Sequence, residues 1–153
     1  MSIATLRRSI EPVRVVGLDV GEKRIGVAVS DLTGTLARPV GVVQTSGLDR
    51  DAVDRASAEI ARLAAEEDGV ATIVVGLPRH LDGRASDMTP RVEAFASRLG
   101  DRTALPVHLQ DERLSSREAE RLLAVREKDW RVRKKKLDAA AAAVILQDFL
   151  DAR

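Results

Sequence analysis

Two apolar segments separated only by residues 21–23, Val13–Val20 and Arg24–Ser30, limit the fold more than any other feature of the chain. A connection that short joins strands side by side and antiparallel, because a parallel return needs a crossover of a dozen or more residues. A third apolar stretch, Val40–Thr45 after Pro39, lies close enough to extend the same meander. Beyond it the pattern changes. Val53, Ala56, Ile60 and Leu63 recur at helical spacing between Asp49 and Glu67, with Gly69 as the stop. Ala71–Gly76 is a β-branched run, as expected of a central strand covered on both faces.

Leu77-Pro78 closes that strand, and residues 79–87 read as a polar loop. Thr89-Pro90 reads as N-cap and first helical position, with Val92, Phe95, Ala96 and Leu99 as the buried stripe and Gly100 as the stop. Pro106–Gln110 is a short strand leading to Asp111-Glu112-Arg113. Ser115-Ser116-Arg117-Glu118 has capping-box spacing and opens a helix through Leu123, and an alanine-rich helix over Leu137–Leu150 follows. The order β-β-β-α-β-α-β-α-α predicts an α/β fold, a mixed five-stranded sheet with helices on both faces. Residues 1–12 read as a frayed tail and 13–153 as one domain.

Apolar residues make up 44% and charged residues 32% of the 153, and no run approaches the ~20 apolar residues of a bilayer span. Residues 1–12 carry Arg7 and Arg8 but no apolar run after them, so they do not read as a secretion signal. Zero cysteines exclude a disulfide framework, a thiolate zinc site and a cysteine nucleophile, and fit a cytoplasmic protein. Net charge is only +1, but its distribution is uneven. Arg126, Lys128, Arg131, Arg133, Lys134, Lys135 and Lys136 stand against Glu127 and Asp129, a patch able to neutralise phosphates and equally readable as a solvated loop.

Acidic residues fall at the ends of elements: Asp19 near the first hairpin bend, Asp111-Glu112 after the last strand, and Asp138 at the start of the final helix. Clustered carboxylates without cysteine form the hard-oxygen environment that suits Mg²⁺ or Mn²⁺, and two such ions ~3.5–4 Å apart can drive phosphodiester cleavage. Each acid also has a plainer reading: Asp19 as a turn residue, Asp138 as a helix cap, Asp111-Glu112-Arg113 as a surface ion-pair cluster. Other phosphate chemistries fail. Gly21 to Gly26 has P-loop glycine spacing, but Val27-Ala28 stands where Lys and Ser or Thr are required. His80 and His108 lack metal-ligand spacing and read as loop or surface residues, and no serine sits in a nucleophile elbow.

Four ordered segments resemble the bacterial YqgF family, described as pre-16S rRNA nucleases and Holliday junction resolvases with an RNase H-like fold. They are Gly17-Leu18-Asp19-Val20-Gly21-Glu22-Lys23-Arg24-Ile25-Gly26-Val27-Ala28-Val29-Ser30-Asp31; Val74-Val75-Gly76-Leu77-Pro78 with Asp82-Gly83; Asp111-Glu112-Arg113-Leu114-Ser115-Ser116; and Lys136-Leu137-Asp138 with Ala139-Ala140 and Ile145-Leu146-Gln147. The resemblance implies an RNase H-like sheet in which Asp19, Glu112 and Asp138 hold Mg²⁺ or Mn²⁺, with Asp111 as a substitute for Glu112. It further implies a cytoplasmic nuclease maturing the 5′ end of 16S rRNA, with RNA or structured DNA as substrate and ribosomal particles as partners. No membrane is expected, and the state is a monomer or weak homodimer.

Lys23 and Arg113, beside the acids, are expected at the scissile phosphate, and Arg131, Arg133, Lys134, Lys135 and Lys136 along the nucleic-acid backbone. Junction-resolving relatives carry an acid at the end of the fourth strand and a second Asp in the final helix. Here Gly76-Leu77-Pro78 and Ala141 occupy those places. Two other readings fit parts of the chain. With two Phe, one Trp and no Tyr, a binding factor without catalysis would rest on phosphate contacts rather than base stacking. An actin- or hexokinase-like module also opens with an Asp-x-Gly hairpin but needs a second similar domain.

Overall fold

The computed structural model describes residues 14–66, 69–78, 82–111 and 130–153, with backbone alone over 130–136. Among these, the order is β1 (Val15–Val20), β2 (Arg24–Ser30), β3 (Ala37–Gln44), α1 (Arg50–Ala64), β4 (Thr72–Leu77), α2 (Met88–Thr103), β5 (Val107–Asp111) and α3 (Trp130–Ala152). The strands form one five-stranded sheet in the order β3-β2-β1-β4-β5. β1–β2 and β2–β3 pair antiparallel, β1–β4 and β4–β5 parallel, which is the mixed sheet expected from the element order. The helix expected from Ser115 and the tail over 1–12 lie outside the described residues.

Period-two alternation splits the strands between two cores. Val16, Leu18 and Val20 of β1, Ile25, Val27 and Val29 of β2, and Ile73, Val75 and Leu77 of β4 pack against α1 and α2 around Ile60, Leu63, Phe95 and Leu99. On the opposite face Val15, Ala28 and Val74 meet Ala142, Ile145, Leu146 and Leu150 of α3. This second core is thin because small residues face one another. A Cβ on Gly17 would stand 2.7 Å from the Leu146 Cβ and 3.1 Å from the Ala142 carbonyl oxygen. Ala139, Ala141 and Ala142 are buried, so the alanine-rich stretch forms a closely packed helix face.

Several boundaries differ from expectation. β3 begins at Ala37 rather than Val40, with Pro39 opposite Ala28 beside an irregularity at Val27/Ala28. An edge strand with a bulge tolerates a residue that lacks an N–H. Thr89 is not the N-cap of α2, since Asp87 holds that place. Buried within the first turn, the Thr89 hydroxyl accepts from the Ser86 N–H at 2.8 Å and donates to the Pro78 carbonyl, fastening the end of β4 to the helix. Gly100 does not stop α2 either. The helix closes at Ala104, in the left-handed region at φ 59°, and Gly100 instead lets β5 approach, its absent Cβ 3.3 Å from Val107 Cγ2.

The largest difference is at α3, which starts at Trp130 and not at Leu137. The basic positions 131–136 are therefore helical in backbone rather than a preceding loop. Asp138 lies two turns inside the helix, which removes the reading of it as a cap.

Two polar devices hold the frame. Arg14 is 5% exposed at the start of β1; its Nε donates to the Gly69 carbonyl at 2.9 Å and its Nη2 to the Leu63 carbonyl at 2.8 Å. It thus satisfies a carbonyl in the last turn of α1, where intrahelical partners run out. Arg14→Met is expected to lower stability by about 1.5–3 kcal/mol, as charge-assisted bonds to buried carbonyls are lost, measured by urea unfolding. Asp31 closes the β2–β3 loop, accepting from the N–H groups of Thr35 and Leu36 at 2.8 and 3.2 Å. Those donors, Thr35 foremost, hold its carboxyl below the ordinary value. Among the described residues no helix is long and apolar enough to cross a membrane.

Candidate active site

The site grows from the β1–β2 hairpin. The Gly21 N–H donates to the Arg24 carbonyl at 2.9 Å, and a Cβ on Gly21 would meet that same oxygen at 2.9 Å, so the bend requires glycine for space. Behind it, the Thr45 N–H donates to the Lys23 carbonyl at 2.9 Å and the Gly47 N–H to the Glu22 carbonyl at 2.7 Å. The Glu22 carboxylate accepts from Arg91 of α2, whose guanidinium holds it below the usual carboxylate range. A turn fixed from two sides presents its side chains from a settled backbone.

Register then decides which face each residue serves. Gly17 points at α3, so Asp19, two residues on, does as well. Its antiparallel partner is Gly26, and a Cβ on Gly26 would stand only 2.0 Å from the carbonyl oxygen of Asp138. Asp19 and Asp138 are thus brought to one face of the sheet, on either side of a position where nothing larger than hydrogen fits. Asp19 is half-buried. Arg24 shares this parity with Gly26, and its Nε donates to Asp138 Oδ2 at 2.7 Å, with the two side chains 23% and 26% exposed. Gly21, Glu22, Lys23, Arg24, Met88 and Asp138 line a cleft of about 590 Å³ at this rim. Lys23 lines this cleft together with Asp138. Arg24 is the residue that reading the sequence passed over.

The third expected carboxylate is less complete. β1, β4 and β5 run parallel, so Asp111, the last residue of β5, lies at the same end of the sheet as Asp19. Its register partner is Leu77, whose side chain belongs to the core under α1 and α2. Alternation therefore sets Asp111 on the face opposite Asp19 and Asp138. Gly76 and its partner Gln110 take the α3 face at that level. Glu112 and Arg113 lie outside the described residues, and Arg131, Arg133, Lys134, Lys135 and Lys136 are known here as helical backbone positions. His80 also lies outside. His108 is an exposed β5 residue whose ring packs on Phe149, with centroids 5.3 Å apart.

Asp19 and Asp138, set on one face of the sheet, offer the hard oxygen donors that Mg²⁺ and Mn²⁺ take, and the cleft beside them is lined by no thiolate or imidazole, its one sulfur being the Met88 thioether. A guanidinium on Asp138 Oδ2 shows that the position already accommodates positive charge. Among the described residues no group of three His, Cys, Asp or Glu comes together as a complete metal site. Carboxylate oxygens are the donor type such a cation takes, and among the described residues Asp19 and Asp138 supply them on this face.

A sheet of this order, an acid on its central strand and a second acid on the helix crossing that strand define an RNase H-like α/β protein. Solved structures agree on the fold. The chain superposes on Thermus thermophilus RuvC in complex with a Holliday junction substrate with a TM-score of 0.53 at 21% identity, covering 92% of this chain and 96% of that one. Residues 13–152 match the RuvX family, described as Holliday junction resolvase, and the chain belongs to that family. By that membership it is a nuclease, a hydrolase of phosphodiester bonds. A protein from Symbiobacterium thermophilum is 43% identical over 142 residues, covering 92% of this chain and 93% of its own. One from Pelotomaculum thermopropionicum is 41% identical over 140 residues, covering 92% and 88%. Both bear the name "Putative pre-16S rRNA nuclease".

Proposed function

We propose that the protein is a divalent-metal-dependent nuclease of the cytoplasm that processes the 5′ end of pre-16S rRNA. The observation carrying this reading is the convergence of Asp19 and Asp138 on one face, across Gly26, beside a cleft that Lys23 also lines. The names of the relatives support the substrate.

Asp19, Asp138 and Glu112 would hold Mg²⁺ or Mn²⁺, Glu112 ranking before Asp111 because the register of Asp111 belongs to the other face. The chemistry that ions held by these residues would supply is activation of a water and stabilisation of the leaving oxygen. The chain contributes positioning. Asp19 is held by a central strand paired on both sides, and Asp138 by a helix pressed onto that strand. Lys23, and Arg113 from beyond the described residues, orient the scissile phosphate. Arg131, Arg133, Lys134, Lys135 and Lys136, on the helix that carries Asp138, neutralise neighbouring phosphates and make binding salt-dependent.

The family description favours a second reading, cleavage of four-way DNA junctions. Against it stand Gly76 and Ala141, where junction-resolving relatives carry acids. Purified protein incubated with Mn²⁺ is expected to shorten a 5′-extended 16S precursor fragment and to stop when EDTA is added. Symmetric cutting of a mobile DNA junction with the RNA left intact would reverse the assignment. A monomer in sedimentation is expected on the RNA reading. Retention of both nucleic acids with cleavage of neither would mark a binding factor, with ribosomal particles as the natural place to look for it.

A further inference from the structure

We propose that Arg24 is a built-in counter-cation for Asp138, holding that carboxylate in place before metal enters and exchanging with the metal when it binds. The inference rests on the metal-site reading above and concerns a residue to which that reading gives no part. Its basis is geometric. Arg24 opens β2, and the parity that turns Gly26 and Ala28 toward α3 turns Arg24 there too. Its Nε meets Asp138 Oδ2 at 2.7 Å across 114 residues of sequence. The pair is about three-quarters covered, so water screens it less than it screens the exposed ion pairs Arg55–Asp51 and Arg84–Asp82.

A carboxylate placed for a divalent ion is costly to leave uncompensated beside a second acid on the same face, since like charges repel at short range. A guanidinium removes that cost while the site waits. Arginine suits the task, being always charged and unable to give up its proton to the carboxylate. The same contact competes with a metal: Oδ2 cannot serve both cations fully, and a positive charge a few ångströms away repels the incoming ion. Neighbouring Lys23 has the opposite parity, belongs to the exposed turn, and makes no such contact among the bonds of Asp138 described here.

Mn²⁺ binding to the full chain, measured by isothermal titration calorimetry without nucleic acid, tests this. Arg24→Gln is expected to bind Mn²⁺ about 3–10-fold more tightly than the wild type and to melt at a lower temperature in EDTA, where Asp138 has lost its partner. Arg24→Lys, which keeps the charge, is expected to bind within about 2-fold of the wild type. Mn²⁺ affinity unchanged or weaker in Arg24→Gln, with binding still abolished by Asp138→Asn, overturns this inference and leaves the metal site standing. Failure of the wild type to bind Mn²⁺ at all overturns the metal-site reading and this inference with it.

Discussion

Asp19→Asn is expected to reduce Mn²⁺-dependent cleavage of a precursor rRNA fragment by more than about 100-fold, while RNA affinity and melting temperature change little. The lower bound follows from metal sites generally, where removing even an outer-shell partner costs about 10–100-fold, so loss of a direct ligand should exceed it. Asparagine keeps the shape of the side chain while removing its charge and turning one acceptor oxygen into an NH2 donor, so packing around the half-buried position on β1 should be little disturbed. The two readouts part company on this point. A binding factor would retain RNA and show no cleavage to lose, whereas a nuclease would keep its affinity and lose its turnover. Cleavage that persists undiminished in Asp19→Asn would sink the assignment of this residue.

The second large effect belongs to a residue with no side chain. Gly26→Ala puts a Cβ where the Asp138 carbonyl oxygen now stands 2.0 Å away, so α3 must retreat by about 1 Å to reach any contact that real Cβ atoms show. Overpacking of this kind costs about 1–3 kcal/mol of stability. A misplacement of ~1 Å in a catalytic constellation costs on the order of 100-fold in rate. The expected result is a folded protein with a lowered melting temperature and a cleavage rate down by about two orders of magnitude. Gly100→Ala is the control: its new Cβ meets Val107 Cγ2 at 3.3 Å and the Leu105 carbonyl oxygen at 3.7 Å, on the face away from the site, and should leave the rate alone. Equal rates in the two variants would mean that the spacing of Asp138 from the sheet does not govern catalysis.

Much of this was legible because period and punctuation agreed. The β1–β2 hairpin and the strand Thr72–Leu77 announced themselves through β-branched runs ended by Gly or Pro, and the mixed sheet followed from their order. What failed were residues with two uses. Gly100 resembles a helix stop, yet its function here is to admit Val107; Pro39 resembles a strand boundary, yet an edge strand takes it in. The lysines and arginines before Asp138 resemble a loop because they lack an apolar stripe, although long straight side chains are good helix formers.

Arg24 was missed for a different reason. Beside Lys23 it looks like one more exposed cation of the turn, and a single step of parity is what separates them. Pairing Asp19 with Gly26 on the written sequence and counting back by two from Gly26 reaches Arg24, so the signal was present. The position of Asp111 follows the same logic. Proximity in sequence makes it interchangeable with Glu112, but the strand's alternation does not.

The early start of α3 has a mechanical consequence. Because the helix is continuous from Trp130, positions 131 and 138 are joined by a rigid arm of about 10 Å, two turns long, and positions 134 and 135 fall on the same stripe as Asp138. Distance and angular phase between the basic stretch and Asp138 are thereby built into one rod instead of being left to a hinge. One residue inserted between 136 and 138 would swing the basic positions by about 100° relative to Asp138 without altering composition or charge. On the proposed roles of these residues, the helix would act as a gauge, setting where along a bound strand the cut falls.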